Sequence, residues 1–400
     1  MRSGRRDASA PGAGDAGAPR DAAMAGDRAD PADRGPALTG PVTEGFDPAR
    51  TRVFSVSLLA WADSDTFGSF TAEGRRDREL VEAWAARGVP RAKITVLQDQ
   101  QATRAAVRAA FRAALQQTAP GELLWLYFAG HGMRVSQARD AGMSGAAATY
   151  FVPYDGTLDA AATCWGLGEI ATEIASEFRG AAVLLTADCC YSGALDAEVA
   201  ARLSVPAGVL ASSDASEQST GAWTFTDCLL DGLRGSGAAD RDRDATIRFS
   251  DVAAHAEARL AYLDQQRATA VTRNGLTAAW RLGPLTAPPA PGEGETIEVR
   301  YNGRWYRAIV LERRANGQAF VRYAGFNHLF DEWVGADRVR AYTPVVYPVG
   351  AAVEARWRRR WYEARVVEVR ASLHKIHYTG WSDAYDEWVG SDKLRLPGAA

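Results

Sequence analysis

Two side-chain types that together make thiolate chemistry stand just past the ends of two apolar runs. Residues 123–128 run into Ala129, Gly130, His131 and Gly132, and residues 182–187 run into Asp188, Cys189, Cys190, Tyr191, Ser192 and Gly193. An imidazole beside a thiol takes its proton and later returns it to a leaving amine. The flanking glycines let backbone N–H groups approach a substrate carbonyl and offer an oxyanion hole. Chemistry alone does not separate Cys189 from Cys190. The other histidine of this part, His255, falls in a helical stretch and is expected on a surface or in a groove. No ligand quartet has metal-site spacing, so a metal site is left unassigned.

These groups need elements to hold them. Apolar runs at 53–60, 94–97, 123–128, 182–187 and 207–211 have strand length and are apolar on both sides of the strand, as in a sheet covered on both faces. Between them, Val107, Phe111 and Leu115 recur at helical spacing, as do Ile170, Ile174 and Phe178, and Val252, Ala256 and Leu260. Leu80, Val81, Trp84 and Ala85 form one more stripe. Strand–helix alternation over 51–282 predicts an α/β domain with a mostly parallel sheet flanked by helices on both faces. In such sheets, reactive groups gather beyond the carboxyl ends of the strands.

The stretch resembles the caspase-like cysteine peptidases, specifically their metacaspase and bacterial caspase-like branch. The resemblance rests on Tyr127 to Gly132, on Asp188 to Gly193, and on Tyr150, Phe151, Val152, Pro153, Tyr154 and Asp155 between them. Leu97, Gln98 and Asp99 before Ala102, Thr103 and Arg104 add to it, as does the run Val209 to Ser213. It implies a cysteine endopeptidase with Cys190 as nucleophile, since the family pattern is Asp, any residue, Cys. It makes His131 the base, the N–H groups of Gly132 and Cys190 the oxyanion hole, and Cys189 a buried thiol. Tyr191 departs from the usual histidine there. Asp188 would form an acidic wall of the S1 pocket, joined by Asp63 and Asp65 and more weakly by Asp214. That wall favours a protein or peptide substrate with basic P1, cut after Arg or Lys. No cofactor is required for the chemistry; calcium is an expected activator in this branch. Self-processing would use Arg202 or the loops at 134–144 and 235–244.

A Pro/Gly linker at 283–294 ends this part. Beyond it the sequence repeats itself: Trp305, Tyr306, Arg307 and Ala308 return as Trp361, Tyr362, Glu363 and Ala364, and Asp331 to Gly335 returns as Asp386 to Gly390. Two all-β units, 295–343 and 349–397, follow, and units so small are expected to close into barrels. They resemble the chromo-barrel and Tudor-knot group, in which an aromatic cage holds a methylated ammonium. The cage candidates are Tyr301, Tyr323, Phe326 and Trp333, then Trp357, Tyr378, Trp381 and Trp388; for Trp333 and Trp388 core packing is the favoured alternative. Arg356, Arg358, Arg359 and Arg360, interleaved with Trp357 and Trp361, suggest nucleic acid as another ligand. The ligand of the tandem modules, protein or nucleic acid, stays open. So does the alternative function: a catalytically silent scaffold or binding regulator acting through them, against a protease they target in bacterial stress or defence.

Composition bounds these readings. With 47% apolar and 24% charged residues the 400-residue chain reads as globular. The net charge of −3 gives no global pull toward nucleic acid or membrane, although 17 Arg and Lys against 13 Asp and Glu make the chain from Glu295 onward basic. Four cysteines, two of them adjacent, are no disulfide framework, which points to a reducing, cytoplasmic setting. No apolar run reaches membrane-span length, and residues 1–50 read as a low-complexity tail without a signal peptide.

Overall fold

The computed structural model describes residues 41–136, 147–357 and 360–398. The α/β part begins with β1 (Thr51–Ser57), α1 (Arg76–Ala86), β2 (Ile94–Gln98), α2 (Arg104–Gln116), β3 (Leu123–Ala129), β4 (Gly132–Ser136), β5 (Ala147–Phe151), α3 (Ala160–Thr163) and β6 (Trp165–Gly166). It continues through α4 (Leu167–Glu177), β7 (Ala182–Asp188), α5 (Ala194–Glu198), β8 (Ala207–Ala211), α6 (Thr224–Arg234), β9 (Thr246–Arg248), α7 (Phe249–Arg259), β10 (Thr269–Arg273) and β11 (Arg281–Pro284).

The main sheet has the order β10-β8-β7-β3-β1-β2, parallel from β8 to β2, with β10 antiparallel at one edge. Alternation along β3 explains the two-faced cover. Leu124, Leu126 and Phe128 pack with Phe111 of α2 and Ile170 and Ile174 of α4. Leu123, Trp125 and Tyr127 face Leu80 and Trp84 of α1, Leu229 and Leu233 of α6, and Val252 and Ala256 of α7. The parallel-rich sheet with helices on both faces therefore follows the sequence pattern. Thr103 caps α2 by accepting a hydrogen bond from Ala106 N at 3.3 Å.

Other elements were not legible. The β4–β5–β6 meander and β10 are short and polar on one side, so they carry no apolar run. The tail boundary also shifts. Residues 41–50 are part of the fold: Val42 and Phe46 are buried, Phe46 sits edge-on to Trp125, and Trp280 Nε1 donates to Val42 O at 2.8 Å. The linker is no free tether either, since Leu285 N bonds Ala245 O and Thr286 N bonds Gly235 O.

The first C-terminal unit comprises β12 (Thr296–Tyr301), β13 (Arg304–Arg313), β14 (Ala319–Tyr323), β15 (Glu332–Val334) and β16 (Val339–Ala341), in the order β15-β14-β13-β12-β16. The second repeats it with β17 (Ala352–Trp357), β18 (Arg360–Arg370), β19 (Leu373–Tyr378), β20 (Glu387–Gly390) and β21 (Leu394–Arg395). Equivalent bulges at Val310/Glu312 and Val366/Glu368 bend both antiparallel sheets. The expected closure does not occur by strand pairing. Each unit is an open, barrel-like sheet whose edge strands are only two to four residues long, which itself limits edge pairing.

A candidate thiol–imidazole site and an aromatic cluster

Strands β3 and β7 are neighbours in parallel register, with Ala129 opposite Asp188. The residues that follow therefore emerge side by side. Gly130 has φ +149, and its N–H donates to Asp188 O at 3.3 Å. Gly132 lies so close that a Cβ there would fall 2.0 Å from the Cys190 carbonyl oxygen, so only glycine fits.

Of the adjacent cysteines, Cys189 is buried and Cys190 is half-buried. Burial, with the charges of Cys190 and Asp188, pushes the Cys189 thiol well up. Burial also raises Cys190, but the N–H groups of Ser219, Cys190 and Gly132 lie close enough to oppose that rise, and Ser219 N donates to its sulfur at 3.3 Å. Tyr191, next in sequence, takes φ +59, an uncommon left-handed conformation that turns the chain sharply after the thiol.

His131 sits in an aromatic box: Trp61 at 4.3 Å, Phe70 at 4.9 Å and Phe67 at 5.8 Å between ring centroids. Its Nε2 is 2.9 Å from Gly68 O. A carbonyl only accepts, so Nε2 carries the hydrogen and the neutral ring keeps its lone pair on Nδ1. Burial holds the pKa below the usual histidine value against that carbonyl. Among the described residues no hydrogen bond joins His131 to Cys190. The resting pair is a neutral imidazole and a neutral thiol on adjacent strand ends.

Asp188 is enclosed beside them. Its Oδ2 accepts from Thr226 Oγ1 at 2.7 Å and from Thr226 N at 3.3 Å. Burial pushes its pKa up to about 6, against the Thr226 and Ser212 hydroxyls and with Asp227 adding to the rise. A second carboxyl, Asp264, ends the turn Leu260–Asp264 after α7 and is pushed to about 6 by burial, with Asp188 contributing. Both its oxygens are buried; Thr224 and Thr220 lie near enough to lower its pKa without reaching hydrogen-bond geometry. Sequence reading missed Asp264, though an acid closing the apolar turn Leu-Ala-Tyr-Leu is an odd residue to bury.

The other expected pocket acids have these surroundings. Asp63 folds back to accept from Thr66 N at 3.1 Å, Asp65 is exposed, and Asp214 pairs with Arg267 at 2.6 Å. His255 is buried, not superficial: its Nε2 is 2.9 Å from Asp231 Oδ2 in the core between α6 and α7. Of the processing loops, Arg134 binds Ala215 O, residues 137–146 lie outside the described residues, and 235–244 packs on the linker with Ala239 buried. A larger cavity of about 660 Å³ lies between α1, β2 and the end of α6 and shares no residue with this site.

In the second C-terminal unit Trp357, Tyr362, Tyr378, Trp381 and Tyr385 line a pocket of about 230 Å³ together with Asp386 and Glu387. Trp381 is the hub, 5.1 to 5.9 Å from Tyr385, Tyr378, Tyr362 and Trp357. In the first unit Tyr301, Tyr306, Tyr323, Phe326 and Phe330 form the matching cluster, but Arg338 pairs with its acid, Glu332. Trp333 and Trp388 belong to neither the clusters nor the cores. Strand alternation turns them to the opposite face, where Arg314 covers Trp333 at 3.7 Å and Arg267 covers Trp388 at 4.5 Å. The same alternation, Trp361 out and Tyr362 in, identifies the cage residue that sequence reading missed. Of the arginine run, Arg358 and Arg359 lie outside the described residues.

Known proteins resemble parts of this chain. A mouse protein, AT-rich interactive domain-containing protein 4B, is 39% identical over 59 residues, 13% of this chain and 4% of its own length. The chain thus spans a small fraction of that relative. Among solved structures, GSU0716 from Geobacter sulfurreducens aligns with 56% of this chain and 93% of its own at TM-score 0.39 and 15% identity. The tandem Agenet domains 3–4 of ADCP1 align with 26% of this chain and 79% of their own at TM-score 0.13 and 20% identity. No helix of the described residues is long and apolar enough to cross a membrane. Residues 292–341 match the Tudor-knot family, described as an RNA binding activity-knot of a chromodomain, so the first C-terminal unit is a Tudor-knot module and the second repeats its topology.

Proposed function

We propose that the α/β part is a cysteine endopeptidase of the caspase-like type that cleaves after Arg or Lys, with the tandem modules controlling it. The observation that carries the reading is the close packing of the Gly130–Gly132 backbone against Cys190, with His131 held by Gly68 on the same edge. His131 Nδ1 takes the Cys190 proton as sulfur attacks the scissile carbonyl. The Gly132 and Cys190 amides, already clustered about the sulfur, receive the oxyanion. The C–N bond then breaks, His131 returns the proton to the leaving amine, and water hydrolyses the thioester and restores the thiol.

The buried acid supports the basic P1. Raising a carboxyl from 3.8 to about 6 stores roughly 3 kcal/mol in its ionised form, which a guanidinium or ammonium recovers on pairing. Asp264 adds to that field. Control by the modules has a physical route in the turn after α7. Tyr262 there is buried against the first module, Gln265 bonds Asp392 of the second, and Gln266 bonds Ser212 O and Ser219 Oγ beside Cys190. Hydrolysis of fluorogenic Arg, Lys and Asp peptides by wild type and Cys190→Ala tests the reading. Turnover of basic substrates, lost in the variant, supports it; no turnover of any substrate, with or without calcium, sinks it.

A second reading rests on the aromatic pocket of the second module. Five rings beside Glu387 suit an alkylated ammonium, attracted by ring faces and that carboxylate together, while Asp386 is held by His377 and Lys375. On that reading the chain is a binding regulator whether or not it cleaves peptides.

A further inference from the structure

The segment from Asp240 to Asp251 lies away from both sites and has the donor set of a calcium loop. Asp240, Asp242 and Asp244 bring carboxylate oxygens within 4.8 Å of one another. Counting Asp240 as position 1, carboxylates stand at 1, 3, 5 and 12, the last being Asp251 in the first turn of α7. A twelve-residue calcium loop draws ligands from those positions and from the carbonyl at 7, and it bends sharply at 6. Here position 6 is Ala245 with φ +65, and position 7 is Thr246.

Two observations point to a bound cation. Asp240 is only 7% exposed, yet its Oδ1 has no hydrogen-bond partner although Oδ2 accepts from Ala245 N. A buried carboxylate oxygen without a donor is costly unless something positive meets it. The second is where Arg248 goes. Its Nη1 is 2.7 Å from Asp244 Oδ2, 3.5 Å from Asp242 Oδ2 and 3.4 Å from Thr246 O. One guanidinium nitrogen thus touches the oxygens of positions 3, 5 and 7, where a loop ion would sit. It does not reach Asp240 within ion-pair distance, which leaves Oδ1 unmet.

We propose that this loop is a binding site for a hard divalent cation, Ca²⁺, and that the Arg248 side chain occupies its place until the ion displaces it. Asp240, Asp242, Asp244 and Asp251 supply carboxylates and Thr246 its carbonyl. Calcium fits better than magnesium because four carboxylates and a carbonyl exceed the one or two carboxylates magnesium usually takes. Arg248 must be expelled, and Arg241 and Arg243 flank the site, so affinity belongs to the weak class, on the order of 10⁻⁴ M.

Calorimetric titration of the full chain, stripped by chelator, reads this without reference to peptidase activity. One Ca²⁺ per chain is expected, with Mg²⁺ at least about tenfold weaker. Asp240→Asn and the exposed Asp242→Asn each weaken binding by about tenfold or more, and Arg248→Ala tightens it severalfold by removing the competitor. No calcium binding up to roughly 10 mM overturns the proposal, being far above the weak-class range. So does binding that survives both asparagine variants, or weakening in Arg248→Ala, which would make the arginine part of the site rather than its occupant.

Discussion

Arg322 of the Tudor-knot module and Asp227 of α6 form a buried ion pair, Nη1 to Oδ2 at 2.8 Å. Arg322 also grips Asp331 of its own module, and Arg76 holds the other oxygen of Asp227 at 2.8 Å. Asp227 follows Thr226, whose hydroxyl and amide hold Asp188. One arginine of the module is therefore two bonded residues away from the acid beside the thiol. Removing one partner of a buried pair leaves an uncompensated charge, at about 3–5 kcal/mol. Arg322→Ala should lower the melting temperature and raise hydrogen exchange in β12–β16 and α6 together. Loss of protection confined to the module would deny the coupling.

Asp188 sets a pH window. Its pKa of about 6 lies above the ordinary 3.8, so it is charged above that window and protonated below it. KM for an Arg peptide should rise as pH falls from about 7.5 to 5, roughly tenfold per unit below 6. Burial holds the His131 pKa below the usual histidine value, so protonation of the base sets in at lower pH than for a free imidazole. A flat KM across the window counts against Asp188 as the P1 partner.

Gly132→Ala places a methyl group against the Cys190 carbonyl. The strand ends must separate, and the amide leaves the sulfur. Peptide hydrolysis should drop by about 10²-fold or more with secondary structure retained by circular dichroism. Cys189→Ala should leave turnover within a few-fold of wild type. Activity that follows Cys189 instead would reassign the nucleophile.

The aromatic pocket makes a prediction of its own. Trp381→Ala should weaken binding of a trimethyllysine peptide by about tenfold or more. Trp388→Ala should leave that affinity unchanged, because Trp388 lies under Arg267 on the other face. Fluorescence titration of both variants checks the pair; equal losses would move the ligand elsewhere.

The sequence by itself determined the sheet and the reactive strand ends. Strands β3, β7 and β8 are enclosed on both faces and read as largely apolar runs, and glycines must stand where backbones meet at Gly130 and Gly132. The repeat likewise required two units of one topology. Tertiary structure decided what depends on contacts distant in the chain. It brought Asp264 near Asp188 from beyond α7, paired Asp214 with Arg267 and left Asp65 exposed. It buried His255 on Asp231 and left the barrel-like sheets open. It also separated the two cysteines, one enclosed and one reachable. Chain neighbours share every local pattern, and only burial, which the packed sheet ends impose, gives adjacent thiols different environments.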